Sequence, residues 1–188
     1  AGFFPFASLL LGLPGETLDD IKAIVDLSDR LARLRKSVDN RIAQLSITVS
    51  WFVPKPHTPL GWFGQRPREY FQQARGLVLD EKQRRRANHL RFKFHDIQRS
   101  LLESAIGRGD RRCGQVIEAA WRDGARFDLW DECFDYERWR TAFAAMDLEL
   151  EAVAERTFEP DQILPWGHLG GPDRQYLLRH YHDAMRSL

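Results

Sequence analysis

Phe6-Ala7-Ser8-Leu9-Leu10-Leu11-Gly12-Leu13-Pro14-Gly15-Glu16-Thr17 decides how this chain is read: an apolar run ends in a glycine turn, and an amphipathic helix follows. Phe6 to Leu11 predicts a strand. In parallel β/α architectures ligands gather at the loop after a strand's carboxyl end, where backbone N–H groups and the positive end of a helix dipole converge. Gly12 and Gly15 allow positive φ and close approach of a ligand, while Pro14 stiffens the turn between them. Thr17 is the expected N-cap, with Asp19 and Asp20 in the first turn. The plainer alternative is a helix-capping turn that binds nothing.

Outward from this stretch, apolar residues recur at Ile21, Ile24, Leu27, Leu31, Leu34 and Val38, alternating threes and fours along one side of a helix. Arg33, Arg35 and Lys36 fall in its last turn, where cations suit the dipole. Leu45, Ile47, Val49, Trp51 and Val53 then alternate with Gln44, Ser46, Thr48 and Ser50, which predicts a strand with one apolar and one small polar face. Strand, helix and strand with short connections imply a right-handed βαβ unit, whose strands run parallel and end at the same edge. If the apolar face packs on helices, Ser46, Thr48 and Ser50 project into a wet or occupied lumen. An exposed antiparallel strand with its polar face in solvent is the competing picture.

The loops Gly12 to Thr17 and Pro54 to Trp62 are therefore expected to flank one site. Lys55 and His57 are its natural polar groups, Lys55 for a carboxylate or phosphate, His57 for proton transfer or a substrate hydrogen bond. The bland reading is a Pro-rich rim with a solvated Lys and His. Pro67 to His89 predicts a long helix whose Arg84-Arg85-Arg86 triplet reads as an RNA contact or as a solvated helix end. Leu90, Phe92 and Phe94 alternate with Arg91, Lys93 and His95 in a short strand, the expected next one of the sheet. His95 and Asp96 at its carboxyl end are further site candidates, or a surface His beside a capping Asp.

Beyond Gln98 the pattern changes to short helices. Leu101 to Ile106 is closed by Gly107-Arg108-Gly109, Val116 to Trp121 lies between a capping Asp110 and a stop at Gly124, and Asp135 caps a third through Trp139 and Phe143. A last helix runs from near Pro172 to Met185. The aromatics of this part read as packing rather than as a base-stacking platform. The Gly107 to Arg112 turn is either an anion site or a salt-bridged corner.

Leu10 to Thr17, followed by Asp19-Asp20-Ile21, resembles the fifth-strand segment of radical S-adenosylmethionine (radical SAM) enzymes, in the branch whose members often carry a cobalamin-binding-type domain upstream. Ser50-Trp51-Phe52-Val53-Pro54-Lys55-Pro56-His57-Thr58-Pro59 with Trp62 is similar to the sixth-strand segment of that branch. Gly107 to Arg112, Ala125-Arg126-Phe127-Asp128 with Trp130, and Leu164-Pro165-Trp166 with His168 look like the C-terminal extension of an uncharacterised radical SAM family. The resemblance implies that Gly12, Leu13, Pro14, Gly15 and Glu16 help line the adenosyl pocket of S-adenosylmethionine by shape and backbone contact. It implies a 4Fe-4S cluster as second cofactor and leaves cobalamin open as a third.

One departure stands against these matches. Radical SAM chemistry needs Cys-x3-Cys-x2-Cys to hold its cluster, and this chain has only Cys113 and Cys133, far apart and without a nearby Cys or His partner. Two reduced thiols in a helical region are the expectation, and no metal site is assigned. Ala1 is not a start residue, so the chain is expected to be the C-terminal piece of a longer protein, with the missing N-terminal part as its partner and no activity alone. With 188 residues and a net charge of +1, no global field draws it to nucleic acid or membrane. Phe3 to Leu13 is too short to cross a bilayer and lacks the basic flank of a signal peptide, so a cytoplasmic location is expected.

The expected fold is α/β: the C-terminal part of a partial β/α (TIM-like) barrel over residues 1–96, then an all-helical extension over 97–188. The expected function is the distal fragment of a radical SAM enzyme that acts on an unknown substrate. A non-catalytic module gripping RNA or a protein is the alternative.

Overall fold

The computed structural model describes residues 6–187; Phe3, Phe4 and Pro5, which open the apolar segment considered above, lie outside the described residues. Strand β1 is Phe6–Leu11 and helix α1 is Leu18–Leu34. Thr17 caps α1 reciprocally with Asp20: the Asp20 N–H donates to the Thr17 hydroxyl at 3.3 Å, and the Thr17 N–H donates to the Asp20 carboxylate at 2.9 Å.

The helix differs from its sequence pattern in two ways. A separate turn, α2 (Lys36–Asp39), follows a break at Arg35, and Asn40 ends it at φ 58°. The face of α1 that is buried is Ile21, Val25, Ser28, Asp29 and Ala32, not the Leu27, Leu31 and Leu34 side. Those three leucines are 45–64% exposed and Val38 is 87% exposed. The rotation has a polar cause as well as an apolar one. Asp29 Oδ1 lies 2.8 Å from His89 Nε2, just before the third strand, which turns that side of the helix inward.

Leu45–Trp51 forms β2, Arg68–Arg84 forms α3 and Leu90–Phe94 forms β3. Helix α3 stops short of His89 because Arg86 adopts φ 53° and the Ala87 N–H turns back to the Lys82 carbonyl at 3.1 Å. The strands lie in the order β1-β2-β3, and both pairings are parallel. The register Ala7–Ile47–Phe92 and Leu9–Val49–Phe94 collects the apolar positions on one face, where Ile21, Val25, Phe71, Ala74 and Val78 pack with them. Ile47 and Val49 on the central strand are completely buried. Trp51 packs tilted against Phe71 at 4.9 Å and stacks with Phe94 at 5.8 Å. The expected parallel βαβ units are thus present as a three-stranded α/β layer, with α1 against α3.

Contacts group the chain into two compact units whose boundary differs from residue 96. The first holds the residues up to Phe52 and Arg68–Ile97; the second holds Val53–Pro67 and the residues from Gln98 onward. Hydrogen bonds explain why the segment 53–67 belongs with the later residues. The Phe158 N–H donates to the Trp62 carbonyl at 2.8 Å and the Gln65 N–H to the Ala154 carbonyl at 3.0 Å. A Cβ on Gly64 would sit 1.8 Å from the Glu155 carbonyl oxygen, so only glycine permits the approach.

Within the second unit a 3-10 turn, Pro59–Trp62, precedes α4 (Ile97–Arg108, whose first residue belongs to the first unit), α5 (Arg112–Arg122) and α6 (Tyr136–Ala144). Helices α7 (Leu150–Glu155) and α8 (Arg174–Ser187) complete it. Asp135 caps α6 as expected, accepting the Glu137 and Arg138 N–H groups. Asp110 sits one position too early to be the N-cap of α5, but its carboxylate still accepts the Arg112 N–H at 2.9 Å. Helix α7 is too short for its periodicity to stand out in the sequence. Trp62, Phe158, Trp166 and Leu177 form a buried cluster in this unit. Among the described residues, no helix is long and apolar enough to cross a membrane.

Candidate functional site

The glycine turn leaves β1 at its carboxyl end, with Gly12 at φ 95° and Gly15 at φ 77°. A Cβ on Gly12 would meet the Phe71 ring at 2.6 Å, so the close approach that glycine allows is filled by the protein's own core. Glu16 folds back over the turn. Its two carboxylate oxygens each accept the Gly12 N–H at 2.9 Å, and it also accepts the Tyr70 hydroxyl. The amide that was expected to face a ligand is therefore satisfied by an internal anion. Gly12 is buried, Leu13, Pro14 and Glu16 are half-buried, and Gly15 is exposed. What remains for a ligand at this loop is shape and van der Waals contact rather than an anion hole.

Ser46, Thr48 and Ser50 lie on the sheet face opposite the core and are half-buried. The parallel register sets Ser8 beside Thr48 and Thr48 beside Lys93, and Phe6 beside Ser46 and Ser46 beside Arg91. That face therefore carries hydroxyls at its centre, cations along β3, and Phe6 and Leu10 at its other margin. None of these face positions is acidic. Arg91 and Lys93 were not singled out from the sequence, although the period-two alternation of β3 already placed them opposite Phe92 and Phe94. His95 follows at the carboxyl end of β3 and is exposed. Its main chain is fixed to the sheet, its N–H donating to the Val49 carbonyl at 3.0 Å and its carbonyl accepting the Trp51 indole N–H at 2.8 Å.

The segment with Lys55 and His57 belongs to the second unit. The Lys55 ammonium pairs with the exposed Glu103 carboxylate, so it is engaged within the protein. His57 adopts φ 59°, a left-handed conformation that is uncommon outside glycine. It lines a cavity of about 290 Å³ together with Trp62, Leu164, Trp166, Gly171 and Leu177. Of the two polar groups expected at one loop, one closes a surface ion pair and the other faces a cavity.

The Gly107 to Arg112 turn divides its arginines. Arg112 pairs with Asp110 at 2.8 Å, the salt-bridged corner. Arg108 instead points inward, where its guanidinium donates to the carbonyls of Ala154 at 2.7 Å and Arg156 at 2.6 Å and stacks 5.2 Å from the Phe158 ring. The Arg84-Arg85-Arg86 triplet is largely spoken for by acids: Arg84 and Arg85 both hold Glu81, and Arg85 also reaches Asp26 on α1 at 2.7 Å. Cys113 is buried and Cys133 is half-buried, and burial pushes the Cys113 thiol up from its ordinary value. Among the described residues no group of three or more His, Cys, Asp or Glu side chains is arranged to hold a metal ion. No protein-family model matches the chain, and no curated protein or solved structure matches it either.

Proposed function

We propose that this chain is the distal part of a radical SAM enzyme and supplies one wall of its cofactor and substrate chamber. One observation carries the reading: three consecutive strands, all parallel, pack helices on one face, and on the other they align Ser8, Ser46, Thr48, Ser50, Arg91 and Lys93. A packed barrel interior would place branched apolar residues there. A hydroxyl and cationic face instead fits a chamber that holds polar ligand. The exposed Leu27, Leu31 and Leu34 ridge of α1 fits the same reading, since an apolar ridge is a surface for further structure to pack on. Residues upstream of this chain would add that structure and extend the sheet at β1.

The cofactors fit unequally. The glycine turn suits a contact of shape with an adenosyl group, because its Gly12 amide is already held by Glu16. The 4Fe-4S cluster does not fit the residues of this chain, whose two cysteines are separate and one of them buried. Its ligands belong to the upstream part in this reading, and no step is assigned here to the cluster or to cobalamin. A cytoplasmic location is part of the same proposal.

The test is to obtain the coding sequence upstream of Ala1 and express the whole reading frame under anaerobic conditions. A Cys-x3-Cys-x2-Cys motif, a 4Fe-4S absorbance and release of 5′-deoxyadenosine from S-adenosylmethionine are expected. A full-length protein without that motif and without 5′-deoxyadenosine release would overturn the proposal. The competing reading, a module that grips RNA or protein, rests on the exposed Trp121, Phe127, Leu129 and Trp130, which are 53–91% accessible. Tight binding to a labelled RNA pool with a steep salt slope would favour it.

A further inference from the structure

On the sheet face opposite the core, alternate positions of the three strands line up in rows. Phe6, Ser46 and Arg91 form one row, and Ser8, Thr48 and Lys93 form the next. Leu10 stands beside Ser50 in the third, and His95, one residue past the pairing of Val49 with Phe94, continues β3 on that side. Along the strands, β3 thus carries Arg91, Lys93 and His95, and β2 carries the hydroxyls of Ser46, Thr48 and Ser50. The face is open: Ser8, Arg91, Lys93 and His95 are exposed, and the β2 residues are half-buried.

Its cations differ from those elsewhere in the chain. Arg84 and Arg85 close on Glu81, Arg112 on Asp110 and Lys55 on Glu103. Among the described residues Arg91 and Lys93 have no carboxylate partner, and the acid next in the chain, Asp96, is itself engaged within the protein. The hydroxyls of Ser46, Thr48 and Ser50 likewise bond no described residue, so they are donors open to a ligand. Same-face neighbours along a strand stand about 7 Å apart, and neighbours across strands about 4.8 Å. Each of the first two rows therefore sets one cation beside one hydroxyl, and the second repeats the pair about 7 Å further on.

We infer that the substrate of this chamber carries at least two anionic groups in succession, phosphate or carboxylate. Arg91 with the Ser46 hydroxyl holds one, and Lys93 with the Thr48 hydroxyl holds the next. Arg91 supplies a two-pronged fork and Lys93 a point charge. Phe6 and Leu10, 68% and 44% exposed, give the apolar body of the same molecule a surface at the β1 margin. This inference rests on the reading of the face as a chamber wall, but its test needs neither cluster nor S-adenosylmethionine.

The test is titration of the full chain at low salt with inorganic tripolyphosphate in one arm and citrate in the other, read by calorimetry and by the amide resonances of Ser46, Thr48 and Lys93. Saturable binding in at least one arm, with shifts on that face, is expected, and the arm that binds names the anionic group. Inorganic phosphate should bind at least tenfold more weakly than tripolyphosphate, on the order of one charge-assisted hydrogen bond. Lys93→Ser should weaken binding about tenfold, and Arg91→Lys, which keeps the charge and removes the fork, several-fold. Arg84→Ala, at a cation already paired, should leave it unchanged. No saturation in either arm up to millimolar ligand would overturn the inference, as would binding that Arg91→Ser combined with Lys93→Ser leaves intact. Anion binding on this face in a full-length protein that lacks the Cys-x3-Cys-x2-Cys motif would sink the radical SAM reading and keep the ligand class; 5′-deoxyadenosine release without anion binding would do the reverse.

Discussion

Each of the two compact units buries a charge, and each neutralises it differently. In the first unit Glu81, 7% exposed, is clasped by Arg84 and Arg85, whose hydrogen bonds hold its carboxyl down to about 2. In the second unit Arg108, 1% exposed, meets no carboxylate among the described residues; its partners are carbonyl oxygens of Ala154, Arg156 and, at 3.4 Å, Gly61. Burial first, and then the like charge of Arg156, bring its guanidinium down to about 10, so it is still a cation at neutral pH. The Glu81 cluster is built mainly from neighbours three and four residues away on one helix, with one reach across to α1. The carbonyl cradle of Arg108 comes from residues 46 to 48 positions away, so it exists only when the whole unit is assembled.

The largest effect should therefore come from Arg108. Arg108→Ala removes the donor to the Arg156 carbonyl and one of those to the Ala154 carbonyl, and it leaves a void beside Phe158, which together should cost about 3–5 kcal/mol. Arg108→Lys should recover only part of this, because a point-charge ammonium cannot fork between two carbonyls. Native-state hydrogen exchange checks the comparison directly: protection should fall at the amides of Gln65 and Phe158, while those of β2 keep theirs. Equal loss in β2 would mean that the two units melt as one.

The same contrast explains what could be read in advance. The elements β1, α1, β2 and β3, and the capping by Thr17 and Asp135, rest on short-range period and residue type, and the structure has them. The buried face of α1 was not legible, because Asp29 turns inward to meet His89, a partner distant in sequence. The attachment of residues 53–67 to 154–158 was likewise hidden, since main-chain hydrogen bonds between loops leave no periodic trace. For the candidate residues, His57 was named from its residue type and its place in the loop after β2, but the cavity it lines has no sequence signature. Glu16 was legible as a loop residue, not as the internal anion that closes the turn.

A smaller effect follows from Glu81. Its carboxyl is depressed in the folded protein, so its contribution is fully present above the unfolded value near 4.5 and is lost as pH falls towards about 2. Glu81→Gln should destabilise the first unit by about 1–2 kcal/mol at pH 7, and it should flatten the stability curve between those two pH values. Chemical denaturation across pH, followed in parent and variant, gives both quantities. A variant that loses stability in acid as steeply as the parent would place the acid-labile carboxylate elsewhere.

The smallest effect separates a cation that holds the fold from cations that do not. Arg91 and Lys93 are exposed, two residues apart on the same sheet face, with hydroxyls and apolar groups rather than carboxylates across from them. Their side chains lie roughly 7 Å apart, inside the Debye length of about 8 Å at physiological salt, so they repel one another weakly. Lys93→Ser should leave stability unchanged or raise it by up to about 0.5 kcal/mol at low salt, and the gain should fade by roughly 1 M salt as screening removes the repulsion. Thermal melts of parent and variant at two salt concentrations suffice. A loss above about 1 kcal/mol would show that this face is packed rather than open. With the expected result, two like charges stand on a sheet face where they add nothing to stability. Arg108 then holds its unit together from inside, while Arg91 and Lys93 stand on the sheet face opposite the core, where their charge is not needed for folding.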